Sequence, residues 1–268
     1  MKKRDKIYSP AVIPILEAIW EASGYLWSHR IKAAFPLWLP WAKQRFHITE
    51  QIRQQLLSIS PATIDSRLKN KKCQLKKKIY GTTRPGTLLK HQFQITTDNW
   101  DVTIPGFLEI DMVSHSGSSA DGNFIQSLNC TDIHTTWTET RAVYDSLAAL
   151  NAMKDLYRNK LRLFHNFFQP SIKLVKKIRI GSKLKRVYDK PKTPFQRLCQ
   201  SNHINKDKLA QLKNIAGILD PFALSKTIDF KLTKIYNLAS KNKKIYGNVG
   251  PVPYSVNNSL PSILGLHS

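Results

Sequence analysis

Residues 105–143 constrain the fold of this chain more than any other stretch. Residues 106–113 (GFLEIDMV) form an apolar run of strand length with Asp111 near its end. Such a run predicts a buried sheet strand, and its acid is expected to face a site, because lone carboxylates are rarely buried. Residues 123–132 and 137–143 predict two further strands, joined by a short turn at 134–136. The stretch is therefore interpreted as a three-stranded meander led by an acid-bearing strand.

The region before the meander is predicted to be helical. Residues 10–28 carry apolar side chains at helical spacing and form the first helix. Residues 31–45 form a second, Trp-rich helical region, which Pro36 and Pro40 are expected to cut. Thr49 is a suitable N-cap for a third helix.

A helix-turn-helix interpretation rests on the segment SPATIDSRL at 60–68. Ser60 suits an N-cap, and Pro61 suits the first helical position. Two short helices around a tight turn are typical of a helix-turn-helix DNA reader, and an ordinary helical hairpin explains the pattern equally well. Most of the basic residues here belong to the run at 69–78, which is also typical of a solvated linker. The candidate DNA-binding residues of this region are Arg67, Lys69, Lys71, Lys72, Lys76, Lys77 and Lys78.

The residues after the meander are predicted to be largely helical and strongly basic. A basic, turn-containing stretch at 171–192 separates a long helix from several shorter ones. The helices are predicted at 145–168, 193–199, 206–218 and 220–239. Six phosphate contacts from the basic stretch would make nucleic-acid binding steeply dependent on salt. Its candidate DNA-binding residues are Lys176, Lys177, Arg179, Lys183, Lys185 and Arg186.

The charge of the chain points to a polyanionic partner. The formal net charge is +24 over 268 residues, with a pI of about 10.0. The excess is uneven, since residues 1–143 carry a net +7 and residues 144–268 a net +17. A basic excess of this size most often indicates nucleic acid, with ribosomal-type and membrane-surface binding as the alternatives.

The cysteines and the hydropathy pattern favour a cytoplasmic protein without a membrane partner. Cys73, Cys130 and Cys199 are widely spaced, which provides neither a disulfide framework nor a zinc knuckle and suits a reducing cytosol. The sequence has no run of about 18 apolar residues, so no membrane span is predicted. The basic N-terminus is followed by a segment that Pro14 and Glu17 interrupt, which argues against a signal peptide.

Five motifs carry a resemblance to a known family. They are SPATIDSRL at 60–68, RPGTLLKHQ at 84–92, GFLEIDMVSHSG at 106–117, TDIHTTWTETRAV at 131–143, and the segment 161–194. Over roughly residues 4–235 the chain resembles bacterial insertion-sequence transposases with an integrase catalytic core, of ribonuclease-H-like fold. The resemblance implies DNA binding, DNA transposition and DNA integration, and a fold of the α/β (α+β) class.

The resemblance also implies a metal site. In that family three acids bind two divalent ions, usually Mg²⁺, that promote attack on a phosphodiester. Asp111 matches the first of these acids, on the first strand of the core. Alternation along a strand puts Glu109 on the same side as Asp111, so Glu109 is a second metal candidate. A surface acidic pair without a metal is the simpler interpretation of the two.

The sequence departs from the family after the third strand. There the family runs on for about a hundred residues that carry the second Asp and the Glu, whereas this chain passes directly from Val143 to Tyr144, which suggests an internal deletion. No Glu follows Glu139, and Asp145 and Asp155 are about three helical turns apart, too far to share one metal. Asp111 is therefore interpreted as vestigial, with no tightly bound Mg²⁺ expected.

The resulting hypothesis is a degenerate transposase-like protein that binds DNA without strand-transfer activity. One alternative is a non-enzymatic regulator that competes with full-length enzyme for element ends. Another is an active enzyme that recruits its missing acids from elsewhere, such as a partner chain. The expected partners are DNA and either further copies of this chain in a homo-oligomer or a full-length transposase. The predicted segments are a helical DNA-binding-like region at 1–78, a connector at 79–104, a core remnant at 105–143, a basic helical region at 144–239 and a flexible tail at 240–268.

Overall fold

The computed structural model describes residues 8–74, 102–115, 125–143, 147–181 and 183–241. Helices and two small antiparallel sheets make the described part an α+β protein, which confirms the predicted class. The elements in chain order are α1 (Val12–Ala22), α2 (Ser28–Ala42), α3 (Glu50–Ser58), α4 (Pro61–Gln74), β1 (Leu108–His115), β2 (Ile125–Asp132), β3 (Thr138–Val143), α5 (Leu147–Leu156), the π-helical turn π1 (Tyr157–Leu161), α6 (Arg162–Phe168), β4 (Leu174–Ile180), β5 (Lys183–Tyr188), α7 (Pro194–Gln200), α8 (Lys206–Ile218) and α9 (Pro221–Lys241).

The second helix runs unbroken through two prolines, so the expectation that Pro36 and Pro40 cut it is wrong. Both prolines lie inside α2 and are exposed. Each proline removes one backbone donor, but on the solvent side water can bind the carbonyls that are left free. On the opposite side Phe35 and Trp38 are fully buried. The burial of that side stabilises the helix by more than the missing hydrogen bonds cost.

The predicted caps of the next two helices are confirmed. The Thr49 hydroxyl accepts a hydrogen bond from the Ile52 N–H at 3.3 Å, at the start of α3. The Ser60 hydroxyl accepts one from the Thr63 N–H at 3.1 Å, and Pro61 is the first residue of α4. Each hydroxyl thereby satisfies one of the backbone donors that a helix start leaves free.

Helices α3 and α4 share a common neighbour. They are joined by Ile59 and Ser60 alone, and both contact α2. Ile64 and Leu68 of α4 are fully buried, which fixes one side of this helix and leaves Arg67 and Lys69 on the surface. Two short helices around a tight turn are thus present, and their use as a DNA reader stays a prediction.

The three predicted strands form an antiparallel sheet of order β1–β2–β3. In this register Asp111 lies opposite Asn129, which in turn lies opposite Thr140. The expectation of a buried first strand is wrong, because every residue from 108 to 113 is exposed. Among the described elements β1 pairs with β2 alone, and the following helices contact β3 at the other edge of the sheet.

The predicted long helix is present from Leu147 to Phe168, but π1 interrupts its α-helical spacing. The Arg162 N–H donates to the carbonyl of Tyr157, five residues back. Such a turn accommodates one extra residue and rotates the helix before it relative to the helix after it. Both parts remain buried on one side, with Met153 in α5 and Phe164 in α6 among the core residues.

One hydrophobic core joins the two ends of the described chain. Trp38 of α2 packs edge-to-face on Phe164, Phe168 and Phe222, with the Phe222 ring centroid at 5.0 Å. Its indole N–H donates to the carbonyl of Phe168 at 3.3 Å. The five-segment division of the chain stays a prediction, and the described helices of its first and fourth segments pack together in this core. The tail from 242 onward, most of the connector and the 144–146 junction lie outside the described residues.

Candidate functional site

One face of the sheet presents a row of polar side chains around Asp111. Across the three strands the row runs from Asp111 to Asn129 and then to Thr140. The Thr140 hydroxyl donates to the Asn129 side-chain carbonyl at 2.9 Å. That bond orients the Asn129 amide and uses the oxygen that would otherwise be available beside the carboxylate.

A second row lies beside the first on the same face. It contains Glu109, Thr131 and Thr138, and the two threonine hydroxyls lie 3.2 Å apart. The structure thus brings the two predicted metal candidates, Glu109 and Asp111, to one side of the sheet, as strand alternation predicts. The polar face that they share was not predicted beyond this pair.

The long helix turns this polar face into a cleft of about 390 Å³. Its far wall consists of Tyr157 and Leu161 from π1 and His165 from α6. The π-helical turn changes which residues of the helix point to the sheet. From the sequence, Tyr157 and Leu161 are expected on the buried side of the long helix, but none of the three residues is assigned to a site. Their spacing of four residues is the signal that a helix-face analysis of this segment would use.

His165 is the cleft residue with a perturbed acidity. The pKa of its imidazole is lowered, first because surrounding protein desolvates the charged ring and second because the charge of Arg30 repels a proton. His165 is also exposed at the residue level, so water limits the size of this decrease. The neutral imidazole is therefore favoured.

The donors in this cleft do not fit the two-metal centre that the resemblance implies. Such a centre needs several carboxylate oxygens that converge. Glu109 and Asp111 are two residues apart on one exposed strand, and the Asn129 carbonyl already accepts a hydrogen bond. In the part of the chain that the structure describes, no group of three His, Cys, Asp or Glu side chains is placed to hold a metal.

Two other acids near the sheet have structural roles. Asp132 is buried and accepts hydrogen bonds from the Gly106 N–H at 2.6 Å and from both the N–H and the hydroxyl of Thr135. Glu139 accepts from the Trp137 indole at 2.9 Å and from Arg162 at 2.6 Å. Both carboxylates therefore hold turns and helices against the sheet and face away from Asp111.

The predicted DNA-binding residues of α4 divide into two groups. Lys71 lies 3.1 Å from Glu21, which raises the pKa of its ammonium group, and Lys72 lies 2.6 Å from Asp65. Arg67 and Lys69 are exposed, and no salt bridge joins either to a described acid. The structure thus leaves two of these cations for a partner. Lys76, Lys77 and Lys78 lie outside the described residues.

The basic stretch after the long helix folds into a β-hairpin of β4 and β5, which the sequence analysis did not predict. Gly181 at its turn has a φ of 59°, a conformation that favours glycine. The predicted residues of this stretch are all exposed, and no salt bridge joins any of them to a described acid. They are Lys176, Lys177, Arg179, Lys183, Lys185 and Arg186.

Both faces of the hairpin are open to solvent. Lys177 lies directly opposite Arg186 in the strand register, and alternation puts Arg179 on the same face. Like charges placed directly opposite destabilise a strand pair, so the free hairpin carries an unfavourable electrostatic term. Isolated two-stranded hairpins are also marginally stable in water.

An ion pair between buried Arg197 and half-buried Asp189 fixes the base of the hairpin. The guanidinium of Arg197 in α7 binds the carboxylate of Asp189 and donates to the Ser171 carbonyl at 2.8 Å. Asp189 in turn accepts from the Lys173 N–H at 2.7 Å, and the backbones of Ser171 and Lys192 are bonded at 2.8 and 3.0 Å. The basic strands therefore project from an anchored base.

Comparison with known proteins adds one relative of undetermined function. The chain is 34% identical over 158 residues to a protein described as uncharacterized, y4rM, from Sinorhizobium fredii (strain NBRC 101917 / NGR234). The similarity covers 56% of this chain and 45% of that protein, so the chain spans less than half of the relative's length. No protein-family model matches the chain. No solved structure matches it either. Among the described residues, no helix is long and apolar enough to cross a membrane.

Proposed function

We propose that this chain is a transposase-like DNA-binding protein that contacts duplex DNA through the β4–β5 hairpin and lacks strand-transfer activity. The observation that carries the proposal is the hairpin itself, which presents six exposed cations without acidic partners in the described structure. A phosphate backbone would neutralise the repulsion between Lys177 and Arg186 and so stabilise the strand pair. Two-stranded ribbons of this size are known to enter DNA grooves.

The ribonuclease-H-like ancestry of the sheet belongs to the same proposal. An antiparallel three-stranded sheet with Asp111 on its first strand, followed by a long helix, agrees with the start of that fold. The open edge of β1 agrees with the loss of the segment that would follow the sheet in a complete core. The cleft donors described above support a protein without strand transfer, because Glu109 and Asp111 lack a third convergent acid among the described residues.

The proposal is tested by the salt dependence of duplex binding. A variant with Lys177→Gln, Arg179→Gln and Arg186→Gln removes three cations from one face of the hairpin. The slope of log Kobs against log salt is negative, and we expect three lost phosphate contacts to make it shallower by about 2.7. The measurement is fluorescence anisotropy with a labelled duplex between about 50 and 200 mM salt.

The matched control removes the same charge from exposed lysines on α8 and α9, through Lys206→Gln, Lys213→Gln and Lys234→Gln. This control is expected to keep the wild-type slope, because its cations lie outside the hairpin. A hairpin variant that binds with the wild-type slope and affinity overturns the proposed interface. The wild-type chain is also tested for strand transfer in the presence of Mg²⁺. Activity that Asp111→Asn abolishes would contradict the proposal that the protein lacks strand transfer.

A further inference from the structure

One edge of β1 has no partner strand among the described residues, and its composition is unusual for such an edge. Residues 108–113 read LEIDMV, and all six are exposed. One side of the strand is apolar, with Leu108, Ile110 and Met112 between 56% and 62% exposed, and the other side carries Glu109 and Asp111. Edge strands of this kind are templates for pairing with another strand, unless charges or prolines prevent it. The two acids disfavour pairing of β1 with a second β1, since like charges would then lie opposite each other.

A strand of complementary composition lies elsewhere in the same chain. β4 reads LVKKIRI, and its segment Lys177–Ile178–Arg179–Ile180 has the alternation of Glu109–Ile110–Asp111–Met112 with the charges reversed. Ile178 is partly exposed and Ile180 is 62% exposed. Among the described strands β4 pairs with β5 alone, which leaves its other edge open.

We propose that β1 of one copy pairs with β4 of a second copy, which makes this chain self-associate through complementary strand edges. A register that places Ile110 opposite Ile178 sets both acids of β1 against the cations of β4. In the parallel direction Asp111 meets Arg179, and in the antiparallel direction Asp111 meets Lys177. Opposite charges and apolar pairs across neighbouring strands both stabilise a sheet.

The other strand of the hairpin does not offer this match. β5 reads KLKRVY, and Lys183 and Lys185 lie on the same face as Val187. Neither face of β5 would therefore set an apolar row against Leu108, Ile110 and Met112. The match is specific to β4, which gives the experiment an internal control.

The two surfaces lie in different parts of the fold, so the contact joins unlike patches. If both β1–β4 contacts form between the same two copies, the result is a closed dimer. If each contact joins a new copy, the assembly extends. Strand pairing over four to six residues lies at the small end of protein interfaces, so the assembly is expected to depend on concentration.

The experiment uses two charge-reversed chains and their mixture. The first carries Glu109→Lys and Asp111→Lys and has two basic edges. The second carries Lys177→Glu and Arg179→Glu and has two acidic edges. The full-length proteins, freed of nucleic acid by nuclease and high-salt treatment, are compared by sedimentation velocity over a hundredfold concentration range.

We expect the wild type to assemble with concentration, each variant alone to remain monomeric, and the equimolar mixture to regain the wild-type assembly. The control Lys183→Glu with Lys185→Glu, on β5, is expected to assemble like the wild type. A wild type that is monomeric throughout the concentration range overturns the proposal. Assembly by either variant alone, or no assembly in the mixture of folded variants, overturns it as well. All four reversed positions are exposed, so both variants are expected to fold. Circular dichroism checks that they do.

Discussion

The side-chain amide of Asn166 makes the two hydrogen bonds to the Thr138 backbone that a neighbouring strand would otherwise make. The Thr138 N–H donates to the Asn166 side-chain oxygen at 3.0 Å, and the Asn166 amide donates back to the Thr138 carbonyl at 2.9 Å. Asn166 is fully buried, so both of its hydrogen bonds form away from water. A helix residue thereby closes the outer edge of β3 in the pattern that a fourth strand would provide.

Asn166→Ala is therefore expected to destabilise the protein strongly. The substitution leaves the N–H and the carbonyl of half-buried Thr138 without these partners, at up to about 1–3 kcal/mol for each unsatisfied group. Denaturant unfolding followed by circular dichroism measures the loss of free energy. Asn151→Ala, on the exposed side of α5, is the matched control and should leave stability nearly unchanged. Equal effects of the two substitutions would contradict the role of Asn166.

Asp189→Asn is expected to loosen the hairpin base. It leaves the guanidinium of Arg197, which is 8% exposed, without a compensating charge. Breaking a buried pair costs about 3 kcal/mol or more, and the partial exposure of Asp189 makes about 3 kcal/mol the upper end here. Hydrogen exchange should show lost protection in β4 and β5 before the core helix α2 is affected. The exposed pair of Glu50 and Arg53 offers a control, since Glu50→Gln should change exchange in the hairpin little. Uniform loss of protection across hairpin and core would argue against a local role.

Pro36→Ala is expected to stabilise the protein. Proline inside a helix costs about 3 kcal/mol relative to alanine, and alanine regains a backbone donor at this exposed position. Loss of the proline's restriction on the unfolded chain offsets about 1 kcal/mol, which leaves a net gain of about 2 kcal/mol. Thermal unfolding measures the gain. Pro61→Ala, at the first position of α4, lacks the regained bond and should give little or no stabilisation. A destabilised Pro36→Ala variant would contradict this expectation.

The lowered pKa of His165 makes stability depend on pH in a defined direction. The unfolded chain takes up a proton near pH 6.5, before the folded protein does, so His165 reduces stability as pH falls below about 6.5. The reduction is complete once the pH is below the folded pKa. His165→Gln removes this contribution. As the pH falls from 8 to 5, the free energy of unfolding of the variant should therefore rise relative to that of the wild type. A difference between the two proteins that stays constant with pH would contradict the assignment.

Local signals in the sequence predicted much of the fold. Ser60 and Thr49 identified helix starts, because a cap depends only on the residues that follow it. The α+β class and the order of the meander also follow from short-range patterns. The burial of β1 did not follow, since it depends on whether another element covers the strand edge, and residues 106–113 have the same apolar pattern in either case.

The hairpin and the cleft wall were harder to predict for separate physical reasons. In β4 the register shifts between Leu174 and Lys176, and cations occupy both faces, so the polar–apolar alternation of a strand is obscured. The cleft wall depends on π1, whose extra residue has no strong sequence preference. Asp111 and Glu109 could be placed on one face from alternation alone. The four-residue spacing of Tyr157, Leu161 and His165 puts them on one side of the helix, but it does not identify the sheet face that they meet.

The π-helical turn fixes the angular phase between two parts of one helix. One residue of an α-helix corresponds to a rotation of about 100°. Deletion of one residue between Tyr157 and Leu161 would restore regular spacing, but it would turn α5 by about that angle about its own axis relative to α6. Met153, now in the core, would move toward solvent while α6 stayed in place. The number of residues in this helix is therefore fixed, because both sides of π1 must keep their buried faces against the core.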